Sequence, residues 1–212
     1  MLDLHKLYKT IKIDIDDRLA QFRKLYDCGS HKDIFKEMCF CTCTPQNNAQ
    51  KAWGAVQILD REGALLSGEA TDIAVILRSN GVRFHQNKAR YIVANRENFY
   101  PNTKKIIKQI LDSKTQLDAR NYLEKNVVGW GLKEASHFLR NIGFGNEISI
   151  LDRHILRQLV LYKVIDEVPS SITKKIYLET ENLMSSFCKK EQIPLDAMDL
   201  LFWYKEKNEL FK

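Results

Sequence analysis

Leu4, Leu7, Tyr8, Ile11, Ile15, Leu19, Phe22 and Tyr26 recur at steps of three and four residues. That spacing lines them along one stripe of a long helix, and a helix with one apolar stripe must bury it against other elements. Little in the remaining sequence interrupts this pattern. Nine glycines and four prolines in 212 residues, set among many Lys, Glu, Leu, Ile and Ala, predict helices joined by short loops. Further helices are expected at 31–43, 48–59, 69–77, 86–95, 100–111, 116–125, 132–142, 152–161, 171–187 and 196–207. Within 147–151, the run Ile148-Ser149-Ile150-Leu151 reads as a short strand, too brief to build a sheet alone. No repeat, low-complexity tract or flexible linker is evident.

A formal charge of +6 suits a polyanion such as nucleic acid or an anionic membrane, and equally a soluble protein whose surplus lysines are solvated. No run approaches the ~18 apolar residues of a membrane helix. Residues 1–26 mix charge with apolar groups and contain no signal-like apolar block, so a cytoplasmic protein is expected. The five cysteines, at 28, 39, 41, 43 and 188, are odd in number and lack CxxC spacing. On a helix Cys39 and Cys43 share a face and Cys41 points away, which is not a zinc-ligand pattern. They read as buried, reduced thiols acting as small apolar residues, with no disulfide and no zinc.

The chemistry concentrates between Val127 and His154. Gly129-Trp130-Gly131, just before an expected helix, permits a tight hairpin open to a close-approaching ligand. Its N–H groups and the helix N-terminus form an anion site, which a phosphate suits; the same pattern also makes ordinary helix–helix turns. Lys133 falls in the first turn of that helix. An ammonium is electrostatically disfavoured there, and a neutral amine is a nucleophile; a lysine on a solvated face is the plainer alternative. Asp152 is a good N-cap for the helix beginning at Arg153, and a capping aspartate can also turn a carboxylate into a cleft.

Together these residues resemble the helix-hairpin-helix DNA glycosylases. The hairpin is Val128-Gly129-Trp130-Gly131, the lysine of bifunctional members is Lys133, and the aspartate that follows a glycine-bearing loop (Gly143, Gly145) is Asp152. The nineteen-residue step from Lys133 to Asp152 matches the 8-oxoguanine branch. Val128 stands where a proline is usual, and the loop before Asp152 has no proline. Cys43-Thr44-Pro45-Gln46-Asn47-Asn48 resembles the loop that pushes a polar wedge into the DNA stack. The segment opening Val82-Arg83-Phe84-His85 resembles the lead-in to a pocket-lining helix, and the ending from Met198 through Trp203 to Lys212 is similar to that of the short archaeal-type 8-oxoguanine glycosylases.

The resemblance implies an all-α fold of two interleaved helical domains with the helix-hairpin-helix motif at their interface: a helical barrel over 30–127, and a second domain made of 1–29 and 128–212. It implies a glycosylase/AP lyase, expected to be a monomer, acting on double-stranded DNA containing 8-oxoguanine. In that reading Lys133 is the nucleophile and Asp152 its partner. Gln46, Asn47, Asn48, Gly129, Trp130, Gly131, Arg153 and His154 meet DNA, and Phe84, His137, Trp203 and Lys212 form the base pocket. His137 shares the face of Lys133, one helical turn on, and Lys212 reads the lesion through its side chain or its carboxylate. Relatives imply a monovalent cation at the hairpin. An iron–sulfur cluster is not expected, since Cys188 alone lies near the C-terminus. Two alternatives stand: another oxidised-base specificity on the same scaffold, and a non-catalytic module that uses the hairpin only to grip DNA.

Overall fold

The computed structural model describes residues 4–212, which form twelve helices and, among the described residues, no strand. In chain order they are α1 (Leu4–Cys28), α2 (His31–Cys43), α3 (Ala49–Arg61), α4 (Ala64–Ser67), α5 (Ala70–Ser79), α6 (His85–Phe99), α7 (Thr103–Ser113), α8 (Gln116–Asn126), α9 (Leu132–Asn141), α10 (Arg153–Leu161), α11 (Lys174–Glu191) and α12 (Leu195–Lys207). Five of them start on a side chain suited to the task. Ser30, Asn48, Thr115, Asp152 and Thr173 each accept a hydrogen bond from a first-turn N–H, satisfying donors that the helix itself leaves unpaired.

The apolar stripes close two cores. One joins α2, α3 and α5–α9 around Phe35, Phe40, Leu59, Leu77, Ile92 and Phe138. The other joins α1, α10, α11 and α12 around Ile15, Phe22, Leu159, Met184, Leu201 and Phe202. Helix α9 belongs to both: Leu132 enters the second core, while Ala135, Phe138 and Leu139 enter the first. The helix that carries Lys133 is therefore clamped from two sides.

Three local expectations are corrected. The run 148–151 is buried but irregular, because its backbone groups bond to side chains of α11 instead of a neighbouring strand: Ser149 N–H donates to Glu181 Oε1 at 2.7 Å, and Tyr177 Oη donates to Ser149 O at 2.6 Å. Helix α7 starts at Thr103, since Pro101 steers Tyr100 away from helical geometry. Cys39, Cys41 and Cys43 are buried as expected, because the C-terminal half of α2 packs against neighbouring helices on every side. Cys28, at the end of α1, is exposed. Burial pushes the Cys39 and Cys41 thiols well above their usual range and Cys43 up to about 12, so all three stay protonated.

Candidate active site

The hairpin between α8 and α9 closes with Trp130 N–H donating to Val127 O at 3.3 Å. Gly129 has φ +83°, and a β-carbon there would overlap the Tyr91 ring. Both the backbone conformation and the close approach of α6 thus require glycine. Helix α6 also grips the hairpin through buried Asn95, whose Nδ2 donates to Val128 O at 3.1 Å and whose Oδ1 accepts from Val128 N at 2.8 Å.

Two hairpin expectations change in detail. The Trp130 side chain faces inward, packing on Phe138 and donating from Nε1 to Thr42 Oγ1 at 2.9 Å, so it cannot meet DNA. Gly131 N–H is already engaged, donating to Glu134 Oε2 at 3.1 Å. A phosphate at this amide would take the place of that carboxylate.

Lys133 occupies the second position of α9, with its side chain 22 % exposed. Its Nζ lies 3.3 Å from Glu134 Oε1 and 3.4 Å from Thr44 Oγ1. Asp152 caps α10 through one oxygen: Oδ1 accepts from His154 N at 2.8 Å and from Ile155 N at 2.9 Å. That leaves Oδ2 for the cavity beside it.

Lys133 and Asp152 stand at a junction. Inward, both line a partly open cavity of about 80 Å³ whose walls include His137, Arg140, Asp199, Trp203 and Lys212. Outward, both line an open cleft of about 500 Å³ with Gln46, Arg83, Arg153 and His154. The inner space holds two or three waters at roughly 30 Å³ each. An occupant the size of a nucleobase would have to move its walls apart.

His137 is buried against the edge of Phe40, with ring centroids 5.5 Å apart. Burial, then Arg140 and Lys133, holds its pKa well below the usual histidine value, so the ring is neutral at pH 7. Trp203 meets His154 edge-on at 5.2 Å. Its Nε1 is buried without a hydrogen-bond partner, as are Nε and Nη1 of Arg140. Buried donors without partners are uncommon in folded proteins, and here they face a cavity.

The Lys212 side chain is anchored rather than free. Its ammonium pairs with the buried Glu37 carboxylate and sits 3.6 Å from the Trp53 ring centroid and 5.4 Å from that of Phe40. Asn141 Nδ2 holds the other Glu37 oxygen at 2.5 Å.

Sequence reasoning missed Arg140 and Asp199. Asp199 is buried on α12, and Arg140 Nη2 lies 3.2 Å from its Oδ2. Burial raises the Asp199 carboxyl to about 6 against the opposing pull of Arg140. The signal was present: Lys133, His137 and Arg140 follow the i, i+4, i+7 face of α9, and Asp199 precedes Trp203 by four residues on α12.

Phe84 is corrected outright. It is 51 % exposed, stands outside the cavity wall, and has φ +57° ahead of α6, with the Arg83 guanidinium 5.4 Å from its ring. The inward positions of α6 are filled by Lys88, Ala89 and Ile92, which leaves Phe84 on the surface.

In the loop after α2, only Gln46 is exposed and uncommitted, in the left-handed region at φ +57°. Asn47 and Asn48 instead have structural tasks. Asn47 Nδ2 donates to Cys43 O and Pro45 O, its Oδ1 accepts from Arg83 N, and Asn48 caps α3. Buried Lys88 donates to the same two carbonyls at 2.9 and 2.8 Å. Its pKa is lowered to about 8 by burial. The loop is thus pre-formed beneath Gln46.

Among the described residues, no helix is long and apolar enough to cross a membrane. The sequence pattern of the 8-oxoguanine DNA glycosylase family matches residues 15–193. An 8-oxoguanine DNA glycosylase/AP lyase of Fusobacterium nucleatum is 43 % identical over 211 residues, covering 99 % of this chain and 96 % of that protein. One from Methanocaldococcus jannaschii is 36 % identical, covering 95 % and 93 %. The crystal structure of the M. jannaschii glycosylase/lyase with a 15mer DNA containing 8-oxoguanine superposes with a TM-score of 0.86 at 32 % identity, covering 99 % of this chain and 97 % of that one.

Proposed function

The chain belongs to the 8-oxoguanine DNA glycosylase family, and on that premise we propose that it excises 8-oxoguanine from double-stranded DNA and then nicks the strand, with Lys133 as nucleophile and Asp152 as its partner. The observation that carries this reading is the position of both side chains where the inner cavity opens into the outer cleft. A stacked base must leave the duplex to be cut, and this junction is where the sugar of an extruded nucleotide would lie.

Once its ammonium has passed a proton to a neighbouring carboxylate or water, the Lys133 nitrogen forms a bond to the sugar C1′ as the C1′–base bond breaks, and the departing base takes up a proton. Loss of the amine proton and opening of the sugar give a Schiff base. A proton then leaves C2′, and the 3′ phosphate departs by β-elimination. Asp152 stabilises the positive charge that develops on the sugar. In the pocket, Trp203 offers a stacking face worth about 1–3 kcal/mol, while neutral His137, Arg140 and Asp199 offer donors and acceptors to the base edge.

Outside, Gln46 fills the vacated stack, and exposed Phe84 supplies a second group to press on it. Arg153 and the hairpin amides take phosphates. A monovalent cation at the hairpin would be held by neutral backbone carbonyls and would add positive charge for a phosphate. All these groups come from one chain, consistent with a monomer working in the cytoplasm.

Incubation with an 8-oxoguanine duplex and borohydride should trap a covalent adduct that maps to Lys133. Binding with neither nicking nor adduct would instead make this a non-catalytic DNA-binding module. Lys212→Ala removes the group that fills the Glu37–Trp53 socket at the pocket wall. It should narrow the ratio of 8-oxoguanine to guanine excision by about tenfold, as expected when roughly 1.4 kcal/mol of discrimination is lost. An unchanged ratio would exclude Lys212 from base selection.

A further inference from the structure

We propose that Tyr177 is a positioning residue that holds Asp152 in register with Lys133. This inference rests on the catalytic roles proposed above.

Asp152 follows an irregular buried run that pairs with no strand, and it caps α10. The backbone of that run is held by side chains of α11. The Tyr177 hydroxyl donates its one proton to Ser149 O at 2.6 Å. Its oxygen accepts from Leu151 N–H at 3.4 Å, immediately before Asp152. It also lies 3.5 Å from Ser136 Oγ on α9, three residues after Lys133. One phenol therefore touches both elements that carry the reacting side chains.

A turn further along α11, Glu181 Oε1 accepts from Ser149 N–H and from Arg120 Nη1 at 2.5 Å, so both backbone groups of Ser149 are satisfied by this one helix. Tyr177 is 4 % exposed, and burial raises its phenol above the ordinary value, which keeps the proton available for donation. It lines neither of the two spaces that hold Asp152, and borders only a side groove shared with Lys133 and Glu134. Its hydroxyl is spent on Ser149 and Leu151, so its effect on the reaction passes through the groups it holds.

Tyr177→Phe keeps the ring and deletes the hydroxyl. Displacement of a reacting group by about 1 Å can cost on the order of a hundredfold in rate. The expected result is a 10- to 100-fold slower single-turnover excision of 8-oxoguanine, with duplex affinity within about twofold. Borohydride trapping on a preformed abasic site, which needs Lys133 but no base departure, should slow much less. The decisive arm is the double variant: with Asp152→Asn already present, Tyr177→Phe should add no further loss of excision. Additive losses, or excision and trapping falling together, would assign Tyr177 a purely structural role and overturn the proposal.

Should Tyr177→Phe fold poorly, Ser136→Ala removes only the α9 contact. It should lower excision two- to threefold in wild type and not at all beside Asp152→Asn; an equal effect in both backgrounds would again overturn the proposal. Failure of the wild-type protein to excise 8-oxoguanine would count against the function itself, not against Tyr177.

Discussion

Lys133→Gln will abolish base removal and strand cleavage, by roughly a thousandfold or more, while DNA is still bound. Glutamine preserves most of the lysine's volume and a polar end. The amide nitrogen lone pair, however, is delocalised and cannot form the bond to C1′. The fold should barely register the change. The ion pair lost with Glu134, at 3.3 Å on a partly exposed side chain, is worth less than about 1 kcal/mol. Removing one cation facing DNA should weaken binding a few-fold at low salt and less at high salt. The measurements are single-turnover excision, borohydride trapping and duplex affinity in parallel. A trapped adduct at undiminished yield would show that another amine does the chemistry. Lys88 is one alternative, a buried lysine whose pKa is lowered to about 8, but its ammonium is committed to Cys43 O and Pro45 O.

Why Lys133 was legible from sequence, and Arg140 and Asp199 were not, follows from how each is specified. The hairpin is local: two glycines, a helix start and a lysine two residues on constrain one another within a few positions, so the string itself carries the geometry. Asp152 is nearly as local, because an N-cap is a short-range device. The pocket is not. It forms where α9 and α12 meet, and no spacing in the sequence says that the faces of Arg140 and Asp199 converge. Phe84 failed for a related reason. Its neighbours in sequence promised a helix lining the pocket, but α6 spends its inward positions on Lys88, Ala89 and Ile92, and Phe84, ahead of the helix in the left-handed region, is left half exposed. The run 148–151 has strand-like composition, yet whether it pairs depends on what lies beside it. Here that is a helix bearing a tyrosine and a glutamate, which supply by side chain the bonds a strand would supply by backbone.

Asp152→Asn separates the two tasks that one carboxylate performs. Asparagine caps helices about as well as aspartate, so its Oδ1 should go on accepting from His154 N and Ile155 N, and α10 should keep its start. Thermal stability should change by less than about 1 kcal/mol, whereas Asp152→Ala should cost about 1 kcal/mol through the lost cap. Excision should fall by about 10²- to 10³-fold in both variants, because what they share is the loss of a negative charge beside the sugar. A second consequence reaches across the cavity. The charge of Asp152 helps raise the Asp199 carboxyl to about 6, so neutralising it should move the Asp199 titration to lower pH, a shift readable by NMR of the side-chain carboxyl. Stability equal to wild type together with full excision in Asp152→Asn would reduce Asp152 to a helix cap. Full stability with excision lost, and Asp199 titrating lower, would show the same oxygen pair serving the fold through one atom and the chemistry through its charge.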